Sequence, residues 1–397
     1  MILELDMIQT VALAVVVLLI GQAIRNRVEI LRTFCIPAPV VGGMIFAILA
    51  LFLRQSGIME FQFDTTLQSV LMTAFFTTVG FTASLRLLKQ GGLKVIIFLF
   101  AAILLVVLQN AMAVGFAKVF DLNPLLGLAT GSVPMTGGHG TSGAFGPLFE
   151  EHGAVGAATV ALASATFGLI GGSMLGGPLA KRLIEKHNLV EKKAAAVADT
   201  DMPEVEEQKL LDADRFLSGA FQIALAMGLG TIISMYIEKT GMTFPSYIGA
   251  MLAAALIRNI SDMTNTYEVP STEIAIMGDI GLSMFLSMAL MGLKLWELAD
   301  LAIPMIVMLI GQTVLMAVFA YFVTFNMMGR DYDAAVLAGG HCGFGMGATP
   351  NAIANMQAIT GNYGPSPLAF FVLPLIGSLF IDFFNAGIIT TFMNIFG

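Results

Sequence analysis

Two short stretches of this sequence combine residue types that suit ligand chemistry inside a protein. The first reads Thr130-Gly-Ser-Val-Pro-Met-Thr-Gly-Gly-His-Gly-Thr-Ser-Gly143, and the second Ala338-Gly-Gly-His-Cys-Gly-Phe-Gly-Met-Gly-Ala-Thr-Pro-Asn-Ala352. Each interior glycine costs a helix about 1 kcal/mol against alanine, and proline removes a backbone donor. With Pro134 and Pro350 among so many glycines, neither stretch is expected to hold a continuous helix. Gly137, Gly138, Gly140, Gly345 and Gly347 would let the backbone approach a ligand closely. A half-helix N-terminus in such a break offers unpaired N–H groups and a partial positive charge, which suits a carboxylate. Unwound carbonyls, with the side-chain oxygens of Ser132, Thr136, Thr141, Ser142, Thr349 and Asn351, suit a hard cation such as Na⁺.

Other polar residues stand alone in apolar surroundings. Gln109 and Asn110 precede Gln312 and Thr313 by about half the chain, so Gln109 and Gln312 are expected to be matched lining residues. Asp382 and Asn385 interrupt the run Leu-Phe-Ile-Asp-Phe-Phe-Asn. A carboxylate there is costly and points to function: a cation ligand, a proton carrier or a satisfied structural partner. His139 sits in the first glycine cluster, and His341 beside Cys342 in the second; neither has the close ligand spacing of a zinc site. Tyr332-Asp333 and Gly278-Asp279 only faintly resemble an intramembrane protease pattern, and no hydrolase motif occurs, so no enzyme and no cofactor are expected. Cys35 and Cys342 give no disulfide framework.

The elements that must position these residues are membrane helices. The chain has 397 residues, of which 57% are apolar and 12% charged, against about 25% charged in soluble domains. It has no basic patch for a nucleic-acid backbone. Apolar runs long enough to cross about 30 Å of hydrocarbon fall near 7–24, 36–53, 67–88, 93–119, 154–180, 216–237, 244–260, 274–296, 301–327 and 366–395. The first follows an acidic N-terminus and is expected to stay in the mature protein. Residues 124–147 and 333–358 are too broken for ordinary spans, and each is expected to form a re-entrant hairpin.

Residues 185–214 carry thirteen charges and read as a solvated linker between an N-terminal repeat, 1–184, and a C-terminal repeat, 215–397. With the N-terminus outside, fifteen of the basic residues fall on the inner side and four on the outer. The positive-inside rule therefore puts both termini outside and the linker in the cytoplasm. Gly42 and Gly249 are 207 apart, Gly80 and Gly292 212, Gly131 and Gly340 209, and Gly168 and Gly377 209. Five crossings per half would invert the second copy. The expected fold is an all-α polytopic membrane protein of two inverted-topology repeats, each of five transmembrane helices plus one re-entrant hairpin. The tips of the two hairpins would meet near the midplane, an arrangement that also leaves a channel open as an alternative.

Ser-Val-Pro-Met-Thr-Gly-Gly-His-Gly-Thr at 132–141 and Gly-His-Cys-Gly-Phe-Gly-Met-Gly-Ala-Thr-Pro-Asn-Ala-Ile-Ala-Asn-Met-Gln-Ala-Ile-Thr at 340–360 resemble the two re-entrant motifs of the bacterial sodium/glutamate symporters. Met288-Ala-Leu-Met-Gly-Leu-Lys-Leu-Trp-Glu-Leu298 is also similar to that family. Thr136 stands where serine is expected, keeping the hydroxyl, and Pro134 where another residue is expected. The resemblance implies Na⁺-driven uptake of L-glutamate across the bacterial cytoplasmic membrane, by an elevator-like movement within a homodimer. A symporter of the same build for citrate or malate is the alternative.

Overall fold

A computed structural model describes residues 2–34, 36–90, 92–190, 211–239, 245–298 and 301–397. Strand β1 (Ile2–Leu5) leads into α1 (Met7–Arg27), α2 (Glu29–Thr33) and α3 (Ala38–Gln55). Strand β2 (Glu60–Phe63), α4 (Thr66–Thr82), α5 (Leu85–Gln90) and α6 (Gly92–Val119) follow. The first half closes with α7 (Pro124–Leu128), α8 (Gly138–Glu151) and α9 (Ala157–His187). The second half has α10 (Ala213–Glu238), α11 (Ser246–Thr264) and α12 (Ser271–Met291), then a 3₁₀ turn, Leu295–Leu298. Helix α13 (Ala302–Val318) runs through a π-helical turn, Phe319–Thr324, to Met327. Helices α14 (Tyr332–Gly345) and α15 (Thr349–Tyr363) precede α16 (Pro367–Leu375), a second π turn at Ile376–Phe380, and α17 (Ile381–Phe396).

Most of the described residues are helical, and a helix occupies each of the ten apolar runs. Among the described residues, seven helices are by themselves long and apolar enough to cross a membrane. The other three runs hold α4 with 17 residues, α11 with 19, and the α16–α17 rod. Residues 191–210 of the acidic stretch and Cys35 lie outside the described residues. One departure from an all-helical chain is a short parallel pairing of β1 with β2, Ile2 opposite Glu60 through Leu5 opposite Phe63. Both segments are too short to span, and Glu-Phe-Gln-Phe alternates polar and apolar residues; pairing the two gives their backbone groups hydrogen-bond partners.

Local sequence sets the helix ends. Asp6 Oδ1 accepts from the Gln9 backbone N–H at 2.8 Å while Gln9 Oε1 accepts from that of Asp6 at 3.1 Å, a reciprocal cap on α1. Asn123 caps α7 through the Leu125 N–H at 2.9 Å, and Asp331 caps α14 through that of Ala334 at 2.7 Å.

The helices divide into two groups. Helices α1, α3 and α4 pack with α10, α11 and α12, while α6–α9 pack with α13–α17. In the first group a side chain at Gly21 or Gly42 would run into backbone across the α1–α3 crossing. Gly230 and Gly249 hold α10 against α11 in the same way. The seam between the groups is aromatic: Tyr247 stacks on Phe76 with centroids 4.1 Å apart and meets the edge of Phe145 of α8 at 6.0 Å. At one end of the first group, Ser84 donates to Asp262, which also accepts from Arg258 Nε at 3.1 Å, and Asn259 caps the Leu85 N–H at 2.8 Å.

Candidate functional site

Both glycine-rich stretches are helix, break, helix. In the first, α7 ends at Leu128, a series of turns covers 129–137, and α8 starts at Gly138. In the second, α14 stops at Gly345 and α15 starts at Thr349. Neither α8 nor α15 has a side chain capping its N-terminus, so each turns a partial positive charge to its break. In α15, Pro350 has no N–H and the Asn351 N–H donates to the Ala348 carbonyl at 3.0 Å, so Thr349 supplies the first-turn donor. The two breaks touch. Gly138 has φ +63°, and a Cβ there would lie 2.8 Å from the carbonyl oxygen of Gly347. Only glycine takes that conformation without cost at so close an approach.

A buried polar network surrounds this contact. Thr136 Oγ1 donates to Gln109 Oε1 of α6 at 2.8 Å, and Gln109 Nε2 donates to the Gly345 carbonyl at 2.7 Å. Gln312 Nε2 of α13 donates to the Gln109 backbone carbonyl at 2.9 Å. The Ser132 N–H donates to Asn110 Oδ1 at 3.0 Å, and its hydroxyl donates to Asn385 Oδ1 of α17 at 2.7 Å. Asn385 Nδ2 donates back to the Ser132 carbonyl at 3.3 Å. Asn351 Nδ2 reaches the Leu169 carbonyl of α9 at 2.9 Å, and Thr349 Oγ1 the Gly377 carbonyl at 2.8 Å. Among the described residues, Gln312 Oε1, Asn351 Oδ1 and Asn110 Nδ2 are buried without a hydrogen-bond partner. Gln312 Oε1 and Asn351 Oδ1 thus keep acceptor capacity, and Asn110 Nδ2 donor capacity, on residues that belong to or hold the two breaks.

Comparison with known proteins decides the lineage. A family model described as sodium/glutamate symporter matches residues 3–365. The sodium/glutamate symporter of Escherichia coli is 42% identical over 395 residues, covering 98% of each chain. That of Haemophilus influenzae is 40% identical over 386 residues, covering 96% of this chain and 95% of its own. The chain belongs to the sodium/glutamate symporter family. Its membership covers both breaks, and the alignments to relatives span almost the whole chain.

Within this family member, several expected residues lie at the contact between the two breaks and others beside it. Gln109 and Gln312 meet directly, one through its backbone. His139 follows Gly138 but turns to α9, where Nε2 lies 3.0 Å from Thr166 Oγ1. Thr141 packs against Gly137, while Gly140 faces Phe75 and Leu282 of the other helix group. Pro350 is exposed in the first turn of α15. Asp382 is half-buried on the first turn of α17 and makes no hydrogen bond or ion pair among the described residues. Asn385 lies one turn further on, in the network.

Three features had no clear sequence signal. Thr166 and the carbonyls of Leu169 and Gly377 serve polar residues far away in sequence. The π turn at Phe319–Thr324 contains no glycine or proline, although that at Ile376–Phe380 follows Pro374. A cavity of about 380 Å³ also opens on the seam between the helix groups. Its lining includes Gln68 and Ser69 of α4, Gly143 and Glu150 of α8, Thr159 of α9 and Lys294 after α12.

Proposed function

We propose that this protein is a Na⁺-coupled symporter that takes up L-glutamate across the cytoplasmic membrane, binding it where the two helix breaks meet. The observation that carries the reading is the convergence of two uncapped helix N-termini, at Gly138 and Thr349, on one contact. A substrate with two carboxylates matches two such ends, each favouring one anionic group. The free oxygens of Gln312 and Asn351 suit Na⁺, and Asp382 is a further carboxylate for the coupling ion. Pulling one net negative charge into a cell at −100 mV costs about 2.3 kcal/mol, which each Na⁺ offsets while adding its own gradient.

In this reading the breaks are re-entrant hairpins entering from opposite sides, and the halves are inverted repeats. Support comes from the packing: spans one to three of each half form one group, and spans four and five with their break form the other. The matched Gly21–Gly42 and Gly230–Gly249 crossings support the same register. The group carrying the breaks slides against the other as an elevator, and the seam cavity is the approach to the site. Both termini lie outside, the charged stretch lies in the cytoplasm, and two copies pair as a homodimer through the stationary group.

The test is uptake of labelled glutamate into proteoliposomes with Na⁺ or H⁺ gradients imposed separately. Accumulation above equilibrium that requires Na⁺ supports symport, and downhill flux alone indicates a channel. Na⁺-driven accumulation of labelled citrate or malate, with none of labelled glutamate, would move the substrate to another carboxylate.

A further inference from the structure

Gln109 holds both broken segments at once. It is fully buried on α6, and its amide oxygen takes the Thr136 hydroxyl of the first break while its amide nitrogen holds the Gly345 carbonyl of the second. Its backbone carbonyl takes Gln312 of α13. The adjacent Asn110 holds the Ser132 N–H, so one dipeptide on one helix grips the first break at two points. The two sides of this bridge come from opposite halves of the chain, 27 and 236 residues from Gln109. Two helix N-termini with like partial charge repel each other. A bridge that accepts from one side and donates to the other opposes that repulsion without occupying the ligand positions.

We propose that Gln109 is a positioning residue: its amide ties the two breaks to each other and to α6, so that both tips carry the site as one rigid unit rather than as independent gates. The proposal rests on the reading that substrate binds at the tips. It separates Gln109 from Gln312 and Asn351, whose free oxygens face no protein donor among the described residues.

The chemistry of a carboxyl group gives a direct test. In Gln109→Glu, the protonated acid has a carbonyl to accept from Thr136 and an O–H to donate to Gly345, reproducing both bonds. The ionised form can only accept, and it turns negative charge toward the Gly345 carbonyl. His341 on α14 and Asp382 on α17 are titratable groups on elements packed against α6. Both are present in wild type and variant, so the ratio of the two proteins isolates position 109.

Proteoliposome uptake is measured for wild type, Gln109→Glu and Gln109→Leu between about pH 5 and pH 8, a range that brackets a buried carboxyl. The variant-to-wild-type ratio for Gln109→Glu should stand near one at the acid end and fall about ten-fold as pH rises. Gln109→Leu should show raised KM for glutamate and Na⁺ at every pH while remaining folded. A pH-independent ratio, or wild-type KM values in Gln109→Leu, overturns the proposal.

Hydrogen exchange on the purified proteins provides a readout independent of transport. Gln109→Leu should raise exchange in 131–137 and 345–349 together, and Gln109→Glu only at the higher pH, each against wild type at the same pH. Unchanged exchange in either segment overturns the strut. Failure of the wild type to move glutamate counts against the proposed function alone.

Discussion

Adding one methyl group at Gly138 should separate the two tips. The residue has φ +63°, a conformation that costs an alanine about 1–2 kcal/mol. Its Cβ would also lie 2.8 Å from the Gly347 carbonyl oxygen, where carbon-to-oxygen approaches normally stop near about 3.3 Å. The tips must therefore part by roughly 0.5 Å, because both partners are backbone and neither can swing aside. A misplacement of about 1 Å can cost 10²-fold in rate, so half of that should lower transport by about ten-fold. Gly153→Ala separates strain from clash: Gly153 has φ +87° with no atom within 4 Å of its Cβ. Both variants should lose thermal stability to the strained φ, Gly138→Ala more because of its added clash, but only Gly138→Ala should lose kcat/KM in Na⁺-driven proteoliposome uptake. Equal transport by the two variants would refute the claim that tip spacing governs the site.

Other consequences can be checked separately. Asp382→Asn should move Na⁺ activation of uptake to higher concentration, and an unchanged Na⁺ curve would remove Asp382 as an ion ligand. Ser132→Ala and Asn385→Ala each break a 2.7 Å buried bond and should cost about 1–2 kcal/mol of stability. Because they share that bond, the double variant should cost less than the sum; strict additivity in thermal unfolding would contradict the pairing. Among the described residues, Asp262→Ala leaves Arg258, whose side chain is 15% exposed, with only Ser271 Oγ at 2.7 Å. It should lower the unfolding midpoint by the equivalent of about 1–2 kcal/mol, and an unchanged midpoint would show that the Ser84–Asp262–Arg258 clasp contributes nothing.

Much of the helical layout was legible because it depends on local chemistry. An apolar run of sufficient length has few alternatives to a helix, and Pro134, Pro350 and their neighbouring glycines forecast where helices would stop. The pairing of β1 with β2 was missed because four-residue alternations are weak signals beside long apolar runs. Partner choice was far less legible. Gln109 and Asn385 stood out as polar residues in apolar surroundings, but the Ser132–Asn385 bond joins positions 253 apart. No local pattern encodes such a separation. Asp382 shows a similar limit: its neighbours mark a carboxylate in an apolar run, but nothing local says which group, if any, it faces, and it makes no hydrogen bond or ion pair among the described residues. The first π turn, at Phe319–Thr324, has neither glycine nor proline to announce it.

The central claim is that glutamate and Na⁺ meet at the contact between the two breaks. Calorimetric titration of the purified protein with L-glutamate, at a series of Na⁺ concentrations balanced with choline, tests it most directly. The Kd for glutamate should fall as Na⁺ rises, with glutamate tightening Na⁺ binding by the same factor, as linkage requires. Asn351→Ala, which removes one free oxygen, should shrink that factor. Glutamate binding that is equally tight with and without Na⁺ would contradict the account.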